Sequence, residues 1–170
     1  MARLLPKLQQ ISSLGYFVIE WPDRYRYLAE RGLNPDPEDA VGWCRNKQDL
    51  RATTTAVVEV LGGKASNHHG RVGGWFKRGL VRWHWFGDKL PGKWNPHLNV
   101  LVDAARLEPQ RLEAIKAELR AALHVPDLIV HYSYCSTLGQ MLQTLRYIAR
   151  ATFRDYAWDP YMAHELWNFR

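Results

Sequence analysis

Two polar side chains that can bind a metal ion lie two residues apart in an otherwise apolar run, His97-Leu98-Asn99-Val100-Leu101-Val102. Runs of this composition predict a β-strand, in which successive side chains point to opposite faces. His97 and Asn99 would therefore share one face, about 6–7 Å apart along the strand, and the other face would be apolar. An imidazole and an amide in this arrangement can share one divalent ion if a third ligand comes from a neighbouring element. The alternative is that His97 is a hydrogen-bonded residue at the edge of a strand.

A neighbouring strand is predicted over residues 79–88, and the turn-forming residues 88–93 should bring it antiparallel to the His97 strand. We expect the polar side chains of this neighbour to share the face of His97 and Asn99. Strand alternation places Arg82, His84 and Phe86 on that face, and Val81, Trp83 and Trp85 on the other.

A tyrosine lies among arginines on the helix predicted over residues 138–154, which Ser136 and Thr137 should cap. The predicted buried stripe of this helix consists of Leu138, Leu142, Leu145, Ala149 and Phe153. Tyr147 lies off that stripe, on a flank with Gln143, Arg150 and Arg154. This position suits contact with a phosphate, and the alternative is a half-buried aromatic residue at a helix edge.

Three segments resemble the motifs of the HUH endonucleases, a family of rolling-circle replication initiators, single-strand transposases and relaxases. The run 96–102, Pro-His-Leu-Asn-Val-Leu-Val, resembles the second motif, in which two histidines flank one hydrophobic residue; Asn99 replaces the second histidine. The run 143–150, Gln-Thr-Leu-Arg-Tyr-Ile-Ala-Arg, resembles the third motif, which carries a nucleophilic tyrosine followed by a basic residue. The strand that ends at Pro22 resembles the first motif but lacks the threonines common there.

The resemblance implies a role for each of these residues. His97, Asn99 and His84, the last as the ligand from an adjacent strand, would hold Mg²⁺ or Mn²⁺, and Tyr147 would be the nucleophile, assisted by Arg150. Ala151 stands where a second tyrosine would be, which implies a single-tyrosine enzyme. The residues expected to contact DNA are Arg82, Lys93, Trp94, Arg146 and Arg154.

The implied activity is metal-dependent nicking and joining of single-stranded DNA through a 5′-phosphotyrosine intermediate, which initiates rolling-circle replication of a plasmid or virus. The expected partner is single-stranded DNA or a hairpin at a replication origin. One alternative is a transposase or relaxase with the same chemistry. Another is a non-catalytic domain that binds single-stranded nucleic acid, with bases stacked on Trp83, Trp85 and Trp94.

The implied fold is α+β, a central antiparallel sheet with helices packed on it, related to the ferredoxin-like and RNA-recognition folds. We expect one HUH-type domain over residues 1–170 with a core of about residues 14–155, either as a separate protein or as the N-terminal part of a longer one. We also predict helices over residues 3–12, 23–31, 46–61 and 108–123, and a further helix that begins at Pro37. Strands are predicted over 15–21 and 127–134, and a flexible basic loop over 64–77.

Composition agrees with a polyanionic partner. The 170 residues carry a net charge of +6, with eight tryptophans and eight tyrosines that can stack on unpaired bases. No apolar run approaches the roughly 20 residues needed to span a bilayer, so we expect a cytoplasmic protein without a membrane partner. Cys44 and Cys135 are too few and too far apart for a disulfide framework or a cysteine zinc site.

Overall fold

The computed structural model of the chain describes residue 6 and residues 12–22, 47–66, 70–86 and 94–149. These residues form an α+β structure with a four-stranded antiparallel sheet, a separate two-stranded sheet and three helices. In chain order the elements are β1 (Leu14–Glu20), α1 (Lys47–Gly62), β2 (Lys64–Ser66), β3 (Gly70–Val72), β4 (Gly79–Phe86), β5 (Trp94–Val102), α2 (Pro109–Leu123), β6 (Ile129–Cys135) and α3 (Leu138–Ile148).

The four long strands lie in the order β4-β5-β1-β6, and each neighbouring pair is antiparallel. Helix α1 lies between β1 and β4 in the chain, and α2 lies between β5 and β6. This order is compatible with a ferredoxin-like arrangement. It places β5, the strand of His97 and Asn99, in the interior of the sheet between β4 and β1.

One face of the sheet packs against α1 and α2. The apolar set of β5 predicted for this face, Leu98, Val100 and Val102, is buried. The helices contribute residues at helical spacing, of which the most buried are Leu50, Val57, Ile115, Leu119 and Leu123. Within the helix predicted over residues 108–123, Leu112 is partly buried against the same core.

Helix α3 packs on the opposite face, and its buried side differs from the predicted stripe. Met141, Leu145 and Ile148 are buried with Leu14 of β1 and Leu101 of β5. Leu138 was expected in the stripe but is 48% exposed, because it lies in the first turn, outside the contact with the sheet. The capping prediction is confirmed: Thr137 and Gln140 form a reciprocal capping box at the helix start.

The segment predicted as a flexible basic loop over residues 64–77 instead contains the paired strands β2 and β3. Its glycines allow a close backbone approach. A Cβ on Gly63, which has φ +82°, would lie 2.6 Å from the Val72 carbonyl oxygen, and one on Gly74, with φ +80°, would lie 2.5 Å from the Gly62 carbonyl carbon. These two glycines permit tight packing at the base of the hairpin.

Several predicted features lie outside the described residues: the helices over 3–12, 23–31 and from Pro37, the turn after β4, and the chain beyond residue 149. The helices over 46–61 and 108–123 are confirmed as α1 and α2, and the strands over 15–21, 79–88 and 127–134 as β1, β4 and β6. Among the described helices, none is long and apolar enough to cross a membrane.

Candidate active site

The sheet register brings the predicted metal ligands together on one face. His84 of β4 pairs directly with His97 of β5, and Arg82 pairs with Asn99. Directly paired residues of antiparallel strands point to the same side, with Cβ atoms about 4.5–5.5 Å apart. The expectation that His84 shares the face of His97 and Asn99 is therefore confirmed. This is the face on which α3 packs.

These three side chains are almost completely shielded from solvent: His84 and Asn99 are 0% exposed and His97 is 5% exposed. Among the described residues, the only other buried polar or charged residue is Thr53 of α1. Burying a polar group costs free energy unless it is paired. Three of the four such residues in the described part thus form one cluster on one face of the sheet.

The His97 ring is held in one tautomer by its own strand. Its Nδ1 lies 2.7 Å from the Asn95 carbonyl oxygen, which can only accept, so Nδ1 carries the proton. The lone pair then resides on Nε2, the ring atom with the chemistry of a metal ligand. The neighbouring Pro96 has no N–H for the ladder, and the pairing of β4 with β5 is irregular at this point, between His84 and Phe86.

His84 connects the sheet to the end of α3. Its Nε2 lies 3.3 Å from the Ile148 carbonyl oxygen, so Nε2 donates and Nδ1 carries the lone pair. The His84 and His97 ring centroids are 5.5 Å apart and the rings are inclined at 72°. Two imidazoles bound to one ion at nitrogen distances of about 2.1 Å have centroids about 4.5–5.5 Å apart, so this separation is compatible with a shared ion.

Asn99 makes a hydrogen bond to a residue that sequence reasoning did not assign. The Tyr16 hydroxyl of β1 donates to Asn99 Oδ1. Asn99 Nδ2 is buried and has no hydrogen-bond partner among the described residues. Strand alternation alone groups Tyr16 with Val18 and Glu20, but only the pairing of β1 with β5 brings Tyr16 close to Asn99.

Tyr147 lies beside His84. The two ring centroids are 5.3 Å apart at an interplanar angle of 57°. The tyrosine is half-buried between Leu145 and Ile148, which anchor α3 to the sheet. The predicted nucleophile, from one helix, and the predicted ligands, from two strands, thus occupy the same site.

A carboxylate also borders this cluster. Glu20 of β1 pairs directly with His97, so a row of three residues, Glu20, His97 and His84, crosses three adjacent strands. In the sequence, Glu20 stands out only as part of the predicted first strand. Its position next to His97 depends on the order of strands in the sheet, which a single sequence does not provide.

The predicted DNA-contacting residues are only partly described. Arg82, opposite Asn99, and Arg146, next to Tyr147 in α3, are both exposed. Trp94 begins β5, but its side chain lies outside the described part of the structure. Lys93, Arg150 and Arg154 also lie outside it.

The donors available for a metal are two imidazoles and one amide oxygen. Among the described residues, no group of three or more His, Cys, Asp or Glu side chains is placed to hold a metal ion. The amide of Asn99 belongs to none of these types, and its Nδ2 is not satisfied by any hydrogen-bond partner in the described part of the structure. A mixed set of imidazole and amide donors fits Mn²⁺ better than Mg²⁺, because Mg²⁺ prefers oxygen ligands alone.

The tryptophans of β4 do not form a surface for bases. Trp83 and Trp85 are 6% and 1% exposed and lie on the face covered by α1 and α2. Their rings are stacked with centroids 5.5 Å apart, and Trp83 Nε1 donates to Thr54 Oγ1 of α1 at 3.0 Å. The alternative in which these two residues stack on nucleic acid is therefore wrong: both are core residues.

A separate cavity of about 460 Å³ lies at the other end of β4 and β5. It is lined mainly by apolar residues, including Leu61, Phe76 and Leu80, and also by Lys77 and Arg78. None of the predicted site residues lines it. The predicted ligands and the predicted nucleophile therefore lie in the side-chain cluster and not in this cavity.

Comparison of the chain with models of known protein families, with curated proteins and with solved structures finds no match.

Proposed function

We propose that this protein is a metal-dependent endonuclease and strand transferase that nicks and rejoins single-stranded DNA through a 5′-phosphotyrosine intermediate. The observation that carries the proposal is the convergence of His84, His97, Asn99 and Tyr147 from three separate elements on one face of the sheet. Spacing in the sequence suggested each residue separately. Their proximity in space is an independent argument that they act together.

His97 Nε2, His84 Nδ1 and Asn99 Oδ1 would hold the divalent ion. When bound, the ion supplies positive charge that polarises a phosphate oxygen and offsets charge that develops during displacement. Arg82 and Arg146, which are exposed near these residues, would bind the phosphates on either side. Because these cations lie on β4 and α3, they would hold the strand across the site.

Tyr147 would attack the scissile phosphorus through its hydroxyl oxygen. A bond forms between this oxygen and phosphorus, the bond from phosphorus to the 3′-oxygen breaks, and the phenol loses a proton while the leaving oxygen gains one. The His84 contact with Ile148 and the apolar contacts of Leu145 fix the helix turn that carries the nucleophile. The reverse attack by a 3′-hydroxyl rejoins the strand without a nucleotide cofactor.

The burial of the site adds a requirement. His84, His97 and Asn99 are between 0% and 5% exposed in this conformation, so a DNA phosphate reaches the ion only in a conformation that exposes these side chains. We therefore expect DNA binding to stabilise such a conformation.

The decisive experiment is incubation with a pool of short single-stranded oligonucleotides and Mn²⁺, followed by denaturing electrophoresis. We expect a protein–DNA adduct that survives denaturation, requires the metal and is absent from Tyr147→Phe. Tyr134→Phe is the matched control, because Tyr134 is 47% exposed on β6 and outside the site. Its adduct should equal that of the wild type.

Two outcomes would contradict the proposal. Binding of oligonucleotides without any adduct would favour a non-catalytic binding domain. An adduct that persists in Tyr147→Phe would show that another residue is the nucleophile. The same chemistry serves the initiation of rolling-circle replication, transposition and conjugation. Our proposal for the biological role is replication initiation. The test is whether the protein converts a supercoiled plasmid that carries a replication origin into a nicked product.

A further inference from the structure

We infer that Tyr16 is a positioning residue for the metal site: its hydroxyl orients the Asn99 amide so that the oxygen, and not the nitrogen, faces the ion. This inference rests on the proposed function, since it concerns the same ion. It adds a residue from a third strand, β1, which the motif-based assignment does not include.

The first step is the hydrogen bond itself. The Tyr16 hydroxyl donates to Asn99 Oδ1 across the pairing of β1 with β5. An amide has one oxygen and one nitrogen at nearly equal positions, and only the oxygen can bind a cation. A donor that binds the oxygen therefore distinguishes the two orientations of the side chain.

The second step is the number of lone pairs. A carbonyl oxygen has two, so Asn99 Oδ1 can accept from Tyr16 with one and bind an ion with the other. An asparagine that serves as a metal ligand therefore needs a partner that selects its oxygen over its nitrogen, and Tyr16 meets this need.

The third step is the unsatisfied amide nitrogen. Asn99 is 0% exposed, and its Nδ2 has no hydrogen-bond partner among the described residues. A buried donor without a partner costs about 1–3 kcal/mol. The fold maintains this orientation despite that cost, as expected if the orientation serves ligand binding and not stability alone.

The test is a titration with Mn²⁺ of the wild type, Tyr16→Phe, Asn99→Asp and the double variant, in which electron paramagnetic resonance measures the free ion. In the protein that keeps Asn99, we expect Tyr16→Phe to raise the Kd for Mn²⁺ about tenfold. This is the lower end of the loss in metal affinity found when a residue that orients a ligand is removed. In the Asn99→Asp background the same substitution should change the Kd less than about twofold, because a carboxylate presents an oxygen in either orientation. Thermal unfolding in EDTA checks that all four proteins are folded.

Each other outcome overturns the inference. Equal losses in both backgrounds would mean that Tyr16 acts through packing, and unchanged or tighter binding in Tyr16→Phe would mean that the hydroxyl competes with the ion. These results leave the proposed function intact if wild-type binding depends on His97. If wild-type protein does not bind Mn²⁺, or if His97→Ala binds it equally well, the proposed metal site and this inference both fail.

Discussion

Asn99→Leu should make the protein more stable while it abolishes metal binding. Leucine has the same branching at Cγ and the same number of heavy atoms as asparagine, and it places no polar group in the buried position. The substitution removes Nδ2, which has no partner in the described ranges, and this recovers about 1–3 kcal/mol. It also loses the hydrogen bond from Tyr16, worth about 0.5–1.5 kcal/mol. Tyr16 is only half-buried, so its hydroxyl can turn to water. The net expectation is a gain of about 1 kcal/mol.

The assay is urea unfolding in EDTA, supported by thermal unfolding, in which a gain of about 1 kcal/mol raises Tm by about 2–4 °C for a chain of this size. Thr54→Val is the matched control, a replacement of a polar residue whose bonds are satisfied. Thr54 Oγ1 donates to the Leu50 carbonyl at 2.6 Å and accepts from Trp83 Nε1. We expect that control to lose about 1–3 kcal/mol, because the indole N–H is left buried without a partner.

Destabilisation of Asn99→Leu by more than about 1 kcal/mol would refute this reasoning. It would mean that the asparagine supports the fold through interactions of its amide, and a structural role would then explain its burial. Stabilisation together with unchanged Mn²⁺ binding would also contradict it, since the residue would then not be a ligand.

Two further predictions concern the fold that supports the site. Gly15→Ala should destabilise the protein by about 1–3 kcal/mol in urea unfolding, because a Cβ there would lie 2.7 Å from the Tyr132 hydroxyl and 2.8 Å from Val102 Cγ2; Gly139→Ala, where a Cβ meets nothing within 4 Å, should show no loss. Burial raises the pKa of Tyr132 to about 12 from the model-peptide value of 10.0. Between these values the unfolded chain has lost a proton that the folded chain keeps, so stability present below pH 10 should fall as the pH rises through about 12. Urea unfolding should show that the free energy of unfolding of the wild type falls from about pH 9, one unit below the lower pKa, to about pH 12. The fall should be smaller in Tyr132→Phe, and equal falls in the two proteins would contradict this prediction.

The sequence by itself determined much of the local structure. Alternation of apolar and polar residues identified β4 and β5 and assigned His84 and His97 to the correct faces, because side-chain direction in a strand depends only on position. Helical spacing identified α1 and α2 for the same reason. These are properties of short segments, and they need no knowledge of distant contacts.

Other interpretations were wrong where the outcome depended on packing. Leu138 and Met141 are both apolar and lie on the same helix, but only contact with Leu14 and Leu101 selects Met141 as buried. The segment 64–77, predicted as a flexible basic loop, instead contains a hairpin whose base needs glycine at positions 63 and 74 for close backbone approach. In both cases a residue type permits several structures, and the neighbours select one of them.

Only the tertiary structure decided the composition of the candidate site. The order β4-β5-β1-β6 places Glu20 beside His97, and the Tyr16 hydroxyl against Asn99, although the residues of the second pair are 83 positions apart in the chain. The packing of α3 brings Tyr147 to His84. A single sequence reveals which residues can perform chemistry, but strand order and helix docking arise from the burial of the whole apolar surface, and that burial determines which of these residues meet.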